Sequence, residues 1–177
     1  MRPHLDLLRK AEFSGNILKN VMPKFGLEIK AYLEGLSSIG RDRDATLRFG
    51  AQCTHCKEQV DVEIDCGELQ ALPDSRGDAH YLCKCKLCKR SCWIKVLEEP
   101  GVYLEEVNDS WVGFGVFECR GMELVSFDAN HGEFVGNNEE TGHCEAFELC
   151  EGEYYGVDEV SSESVSVTDF DSRIVKL

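Results

Sequence analysis

Hydrophobic and polar residues alternate with a period of two along much of the chain. In residues 27–34 (LEIKAYLE) every odd-numbered position is apolar, and every even-numbered one is charged or is tyrosine. Strict alternation of this kind predicts half-buried β-strands. Only residues 4–12 have a pattern compatible with a helix. We therefore predict an all-β protein, with further strands at residues 47–51, 59–66, 92–97, 112–116, 122–127 and 165–167.

The dipeptide Pro100-Gly101 interrupts this pattern near the middle of the chain. Because Pro and Gly punctuate secondary structure, we predict a boundary there. The prediction is two similar β-rich halves, residues 22–99 and residues 102–177, with a zinc-ribbon-like site in the first half. Turn-forming residues and much of the negative charge are concentrated in residues 137–143 and 151–164.

Composition and charge exclude several classes of protein. The 177 residues include 42% apolar residues, enough for a hydrophobic core, and carry a formal net charge of −14. Such an excess of acidic residues argues against a protein that binds nucleic acid through its phosphates, since phosphate binding requires a net supply of Lys and Arg. No apolar run approaches the roughly 20 residues of a membrane helix. We expect a protein partner rather than nucleic acid or a membrane.

Residues 1–21 are predicted to form an N-terminal extension without a secretory signal. Its apolar stretch, from Leu5 to Leu8, is interrupted by Asp6 and is shorter than a signal-peptide core. The extension is interpreted either as a disordered leader or as a segment upstream of a true start at Met22. Without export the thiols stay reduced, so we expect a cytoplasmic protein.

Two pairs of cysteines carry the strongest chemical signal. Cys53 and Cys56 form one C-x-x-C motif, Cys85 and Cys88 form another, and each pair is followed by a predicted strand. Zinc prefers four soft ligands at the corners of a tetrahedron, and four cysteines leave no position open for water or substrate. The spacing therefore predicts one structural Zn²⁺ per chain, bound by these four residues.

Core packing and redox chemistry are alternative roles for cysteines, and the spacing disfavours both for these two pairs. Isolated core cysteines rarely form two pairs of equal spacing, and a redox C-x-x-C would require a βαβ context that this chain lacks. Cys83 competes with Cys85 as a ligand in the second pair, and Cys92 lies near the site in sequence. His55 lies within the first motif, but we expect its side chain to be exposed. Cys66 and Cys144 are assigned to packing.

Lysines and an arginine surround the two motifs. The turn in such a motif favours a positive φ directly after its second cysteine, where this chain has Lys57 and Lys89. A non-glycine residue in that conformation costs about 1 kcal/mol, which bound zinc can offset. Together with Lys84, Lys86 and Arg90, these lysines are expected to offset the charge of a four-thiolate site or to form a solvated basic face.

The two motifs, together with Phe117-Glu-Cys-Arg-Gly-Met-Glu123 and Phe127, resemble a eukaryotic family called CXXC motif containing zinc binding protein. The resemblance covers about residues 22–177, from an opening strand at residues 25–34 to a closing segment at residues 163–177. It implies an all-β intracellular protein that binds one zinc through the four cysteines and has no established catalytic activity. The extension and the two lysines after the motifs depart from the family pattern.

An internal repeat is a further hypothesis. Cys119-Arg-Gly-Met122 aligns with the first motif, and Phe147-Glu-Leu-Cys150 aligns with the second. The second half would then be a degenerate, metal-free copy in which Met122 and Phe147 replace ligands. The alternative is chance similarity between β-rich segments.

These observations favour an intracellular interaction or adaptor module stabilised by a structural zinc. The alternative is a metal- or thiol-handling protein, in which Cys83 and Cys92 assist zinc transfer or redox sensing. A zinc ribbon that binds nucleic acid is a third alternative, which the negative charge limits to the small basic cluster around the motifs. We expect no enzymatic activity, because the sequence has no nucleophile elbow or dinucleotide fingerprint. A monomer that binds an unidentified protein is the expected state.

Overall fold

In a computed structural model, the protein is described over residues 22–73 and 75–177. Within these ranges the chain forms fifteen β-strands and one short 3₁₀ helix, Glu105–Val107, so the all-β prediction is confirmed. The helix predicted at residues 4–12 and the extension at residues 1–21 lie outside the described residues. The strands are β1 (Lys24–Glu34), β2 (Ser38–Gly40), β3 (Thr46–Cys53), β4 (Gln59–Asp65), β5 (Gln70–Ala71), β6 (Asp78–Ala79), β7 (Tyr81–Lys84), β8 (Ser91–Glu98), β9 (Val102–Leu104), β10 (Val112–Arg120), β11 (Met122–Phe127), β12 (Phe134–Asn138), β13 (His143–Phe147), β14 (Tyr154–Val157) and β15 (Ser164–Lys176).

The largest sheet has six strands in the order β14-β15-β1-β10-β8-β7. Its strand pairs are antiparallel, and β1 lies near the centre between β15 and β10. The period of two seen in the sequence is obeyed in β1, where Leu27, Ile29 and Ala31 are fully buried and Tyr32 is exposed. Alternation thus identified the strand because one face of β1 packs on the core.

Two smaller sheets complete the core. One has the order β11-β3-β4 and the other the order β13-β12-β2-β9, while β5 and β6 form a separate two-stranded pair. Phe49 of β3 packs edge-on against Phe117 of β10, with ring centroids 5.0 Å apart, and both rings are fully buried. This contact joins the three-stranded sheet to the six-stranded sheet, and it includes β3, the strand that ends at the first cysteine motif.

Strands from both sides of Pro100-Gly101 share each of the three larger sheets. In the largest, β1 hydrogen-bonds to β10 and β15, and in the smaller ones β3 pairs with β11 and β2 pairs with β12. The predicted boundary therefore does not separate two sets of strands. Whether residues 22–99 and 102–177 superpose as a repeat stays a prediction.

Part of the acidic segment that we predicted as turns is extended instead. Residues 151–164 contain β14, which pairs with β15 at the edge of the largest sheet. The exposed residues Tyr155 and Val157 alternate there with half-buried Tyr154 and Gly156, so the apolar residues do not fall on one face. Because β14 is an edge strand with little burial, its sequence lacks the alternation of apolar and polar residues that predicted β1.

Candidate metal centre

The first C-x-x-C motif forms a tight turn between β3 and β4. Cys53 is the last residue of β3, its N–H donates to the carbonyl of Glu58 (2.9 Å), and its carbonyl accepts the N–H of Lys57 (3.1 Å). Because β4 begins directly afterwards and pairs with β3, both cysteines stay on the turn that closes this hairpin. The sulfur of Cys53 is thereby buried at the end of a core strand, while Cys56 is half-buried.

The second motif repeats this backbone arrangement between β7 and β8. The N–H of Cys85 donates to the carbonyl of Arg90 (2.9 Å), and the N–H of Lys89 donates to the carbonyl of Cys85 (2.9 Å). Lys57 and Lys89, which directly follow the second cysteines, have φ of 65° and 62°. The prediction of a positive φ after each motif is therefore confirmed.

The four cysteines of the two motifs converge in space. All four sulfur atoms lie within 4.8 Å of one another, with Cys53 Sγ 3.7 Å from Cys88 Sγ and Cys56 Sγ 3.4 Å from Cys85 Sγ. Tetrahedral zinc with Zn–S bonds of ~2.3 Å places its sulfur ligands ~3.8 Å apart. The four thiols therefore fit a zinc ion, and each short distance joins one motif to the other.

Across the described ranges, no other group of three or more His, Cys, Asp or Glu side chains is close enough to hold a metal. His55 is exposed, as expected. Cys85 is part of the cluster and Cys83 is not, so the geometry favours Cys85 as the ligand.

Glu58 is a neighbour of the cluster that no sequence pattern revealed. Its carboxylate accepts the Cys85 thiol (2.9 Å) and the backbone N–H of Leu87 (3.1 Å), so it connects the first turn to the second. The hydrogen bond from Cys85, followed by that from Leu87, lowers the pKa of Glu58. No spacing rule identifies Glu58, because its contacts are made across the two hairpins.

Hydrogen bonding shifts the pKa values of two thiols of the cluster in opposite directions. Backbone N–H groups of Cys56 and then His55 stabilise the thiolate of Cys53 and lower its pKa to about 6. The hydrogen bond to Glu58 raises the pKa of Cys85. A metal held by all four sulfur atoms would take Cys85 as a thiolate, so the proton that Cys85 shares with Glu58 would be lost, while the Leu87 N–H would still donate to Glu58.

Cys83 and Cys92 lie beside the cluster and face each other across the β7–β8 pair. Cys92 is fully buried, and burial, followed by the charge of Cys83, raises its pKa to about 12. A cleft of about 160 Å³ is lined by both of them, by the ligand candidates Cys53 and Cys85, and by Tyr81 and Met122.

The burial of the remaining cysteines differs in part from the prediction. Cys66 is buried, as expected of a packing residue, whereas Cys144 is exposed, so its assignment to packing was wrong. Cys144 and Ala146 are exposed on β13, whereas Phe147 at the end of the same strand is buried. Cys119 is fully buried in β10 and Cys150 is exposed.

The segments proposed as degenerate copies of the motifs have another local structure. Gly121, with φ of 77°, connects β10 directly to β11, and Met122 is the register partner of Cys53 in the β11–β3 pair. Met122 thus lies against the first motif itself. The repeat hypothesis stays a prediction, and these contacts explain why a methionine rather than a metal ligand suits this position.

No helix among the described residues is long and apolar enough to cross a membrane. The fold and the four-cysteine cluster instead define a β protein with a site suited to a thiophilic metal. A model of the family "CXXC motif containing zinc binding protein, eukaryotic" matches residues 26–175, and the chain belongs to this family of zinc-binding CXXC proteins. The family resemblance stated from the sequence is confirmed.

Individual relatives agree with this assignment. The chain is 32% identical to the human CXXC motif containing zinc binding protein over 162 residues, covering 88% of this chain and 99% of that protein. It is 34% identical to the UPF0587 protein C2D10.03c of Schizosaccharomyces pombe, with coverage of 88% and 99%. The crystal structure of C1orf123 superposes with a TM-score of 0.78 at 30% identity, covering 87% of this chain and 99% of that one.

Proposed function

We propose that the protein binds one structural Zn²⁺ through Cys53, Cys56, Cys85 and Cys88. The observation that carries the proposal is the convergence of their four sulfur atoms within 4.8 Å. Membership of a zinc-binding family supports the choice of metal, and soft thiolate ligands favour zinc over Mg²⁺ or Ca²⁺. Four protein ligands complete a tetrahedron, as structural zinc sites do, and we propose a non-catalytic role for this reason.

The position of the site explains what the metal contributes. One motif closes the β3–β4 hairpin of the three-stranded sheet, and the other closes the β7–β8 hairpin at the edge of the six-stranded sheet. A shared zinc ion therefore links two sheets. Structural zinc contributes roughly 10–16 kcal/mol in small peptides, comparable with the ~5–15 kcal/mol stability of a whole domain.

The zinc-stabilised scaffold is proposed to act as an intracellular, monomeric interaction module for a protein partner. An intracellular location is consistent with ten cysteines that are all unpaired in the structure. The edge strand β14 exposes Tyr155 and Val157, whose exposed fractions are 67% and 55%. Exposed glutamates lie in the segments that precede and follow β14 and in the turn between β12 and β13, namely Glu139, Glu140, Glu151, Glu153, Glu159 and Glu163.

Zinc stoichiometry tests the proposal on the purified full chain. We expect one zinc per chain by elemental analysis, and a loss of at least half of it when Cys56 or Cys88 is replaced by serine. Cys144→Ser is the matched control, because Cys144 is exposed and lies outside the cluster. Zinc well below one per chain in the wild type, or equal loss in the control, would reject the site.

Metal or thiol handling is a second candidate, favoured by the cross-strand pair Cys83–Cys92 and the cleft that they share with Cys53 and Cys85. In this case the Cys83 thiolate would replace a ligand while zinc passes to an acceptor. Hydrogen peroxide could also join Cys83 to Cys92, since two thiols supply the two electrons and two protons that convert it to two waters.

Exchange kinetics separate the two candidates. A structural zinc is retained against a moderate chelator, and its release rate is the same in wild type and in Cys83→Ser. A handling protein releases zinc readily, and Cys83→Ser slows that release several-fold. Cys150→Ser controls for the loss of a thiol, because Cys150 is exposed and separate from the cluster.

A further inference from the structure

The outward side chains of the two cysteine turns form a basic surface at the metal end of an acidic protein. We define the knuckle face as the exposed side chains of Lys57, Lys84, Lys86, Leu87, Lys89 and Arg90. The two turns are adjacent because the sulfur atoms beneath them are within 4.8 Å of one another. Five cations are thereby brought together in a chain whose formal net charge is −14.

The cations of the knuckle face have no carboxylate partners of their own. Among residues 22–73 and 75–177, none of these five side chains is within 4 Å of an acidic side chain, whereas five other cations form ion pairs. Those paired cations are Arg43, Arg48, Lys95, Arg173 and Lys176.

The charge of the proposed metal centre does not account for all of them. A Zn²⁺ ion with four thiolates would carry a charge of −2, and Glu58, the one carboxylate within the turns, adds a further −1. Five positive charges exceed these negative charges. The excess is available to a ligand in solution.

Leu87 places an apolar side chain among these cations. It is 66% exposed at the tip of the second turn, between Lys86 and the ligand candidate Cys88. Its backbone is fixed, since its N–H donates to Glu58 and both neighbouring hairpin strands are paired. An exposed leucine held in position loses little conformational entropy when a partner covers it.

We propose that the knuckle face binds an acidic peptide segment in which one apolar side chain is flanked by carboxylates. The apolar side chain would contact Leu87, while the carboxylates pair with Lys86, Arg90 and their neighbours. This inference rests on the proposed function as an interaction module, and it names the chemistry of the partner. Charge complementarity carries it, because the surface offers unpaired cations around one leucine.

An acidic peptide fits this surface better than a nucleic acid does. A nucleic acid carries a charge at every phosphate, so it would extend from the small basic face onto the acidic remainder of the protein. Binding of single strands also uses exposed aromatic rings. The exposed aromatic side chains of the described residues, Tyr32 and Tyr155, lie on β1 and β14 rather than on the knuckle face.

Fluorescence anisotropy on the zinc-loaded full chain tests the proposal. The probe is the labelled peptide Glu-Asp-Leu-Asp-Glu, compared with Gln-Asn-Leu-Asn-Gln, Glu-Asp-Ser-Asp-Glu and a labelled ten-residue oligo(dT). We expect the first peptide to bind at least tenfold more tightly than the other three. Its affinity should fall when NaCl rises from about 50 to about 300 mM, because salt screens exposed charges.

Variants locate the binding surface. Lys86→Glu and Arg90→Glu should each reduce the affinity for the acidic peptide at least tenfold, and Leu87→Ser should reduce it several-fold. Lys24→Glu is the matched control, because it makes the same change in net charge at an exposed lysine of β1 and should alter affinity less than twofold. Zinc content is measured on every variant to show that the turns are intact.

Three results would overturn the proposal. The oligonucleotide could bind more tightly than the acidic peptide, the acidic peptide could show no saturable binding, or Lys24→Glu could reduce the affinity for the peptide as much as Lys86→Glu and Arg90→Glu do. Each of them, obtained with one zinc per chain, rejects the knuckle face as a binding surface and leaves the structural zinc proposal standing. A chain that holds no zinc would instead reject the proposed function itself.

Discussion

Lys57 and Lys89 occupy the same position in the two cysteine turns, with φ of 65° and 62°. In each case the lysine N–H returns to the carbonyl of the first cysteine of its motif, at 3.1 Å and 2.9 Å. The two turns therefore share one backbone conformation, although they belong to different sheets. Lysine is strained at this φ, whereas glycine is not.

Replacing either lysine by glycine should increase stability. We expect Lys57→Gly and Lys89→Gly each to raise the free energy of unfolding of the zinc-loaded protein by about 0.5–1 kcal/mol, since relief of backbone strain outweighs the added entropy of the unfolded chain. Chemical denaturation measures the change. Lys84→Gly is the control, because Lys84 lies in strand β7, where glycine should destabilise by about 0.5–1 kcal/mol. Destabilisation by all three variants would contradict the strain argument.

Removal of zinc should loosen one part of the molecule before the rest. We expect a strong chelator to increase amide hydrogen exchange first in β3, β4, β7 and β8, because the proposed metal joins their hairpins. Strands β1 and β15 should keep their protection, since they pair with each other along most of their length and carry none of the four cysteines. Exchange followed by mass spectrometry, with zinc added back as the control, measures this. Unchanged exchange in all strands after complete zinc removal would show that the site is not structural.

The buried thiol of Cys119 should make stability depend on alkaline pH. Burial raises the pKa of this thiol to about 12, with Glu118 and Glu123 adding to the shift. The unfolded chain releases this proton near pH ~8.5, whereas the folded protein keeps it, so the unfolded state binds fewer protons between those values. The contribution of this thiol is therefore intact below pH ~8.5 and falls as pH rises, by at most ~1.4 kcal/mol per pH unit.

The measurement compares wild type with Cys119→Ala, which removes the titrating group. Cys119→Ala should be less stable than wild type at pH 7.5, and the difference should shrink as the pH rises to about 10. Cys150→Ala is the control, because Cys150 is exposed. A difference that stays constant over this range would contradict the assigned pKa shift.

Asn108 should contribute to stability through the backbone of β1. Its side chain accepts the N–H of Leu33 and donates to the carbonyl of Leu33, both at 2.9 Å. Since Leu33 is almost fully buried, Asn108→Ala leaves two backbone groups unsatisfied, and we expect a loss of about 1–3 kcal/mol in the free energy of unfolding. Asn130→Ala is the control, because it removes a single exposed hydrogen bond from the Gly152 N–H (3.3 Å) and should cost less than about 1 kcal/mol. Equal losses in thermal or chemical denaturation would refute the role of Asn108.

Much of the core and the membership of the four-cysteine cluster could be predicted because both depend on local patterns. Leu27 and Ile29 are buried in β1 as their alternation predicts, and Val62 and Ile64 are buried in β4 in the same way. Alternation failed where burial is slight or strands are short. The three-residue strands β2 and β9 and the edge strand β14 contain too few residues on one face to show a period.

By itself, the sequence determined an all-β chain and two turns of common geometry that present four cysteines. Such features follow from side-chain alternation and from the short span of each C-x-x-C motif, which are properties of neighbouring residues. Only the tertiary structure decided that strands from both sides of Pro100-Gly101 share their sheets, that Met122 pairs with Cys53, and that Glu58 reaches Cys85. The physical reason is that backbone hydrogen bonds between distant strands carry no record of residue type, so partners far apart in sequence are fixed by packing.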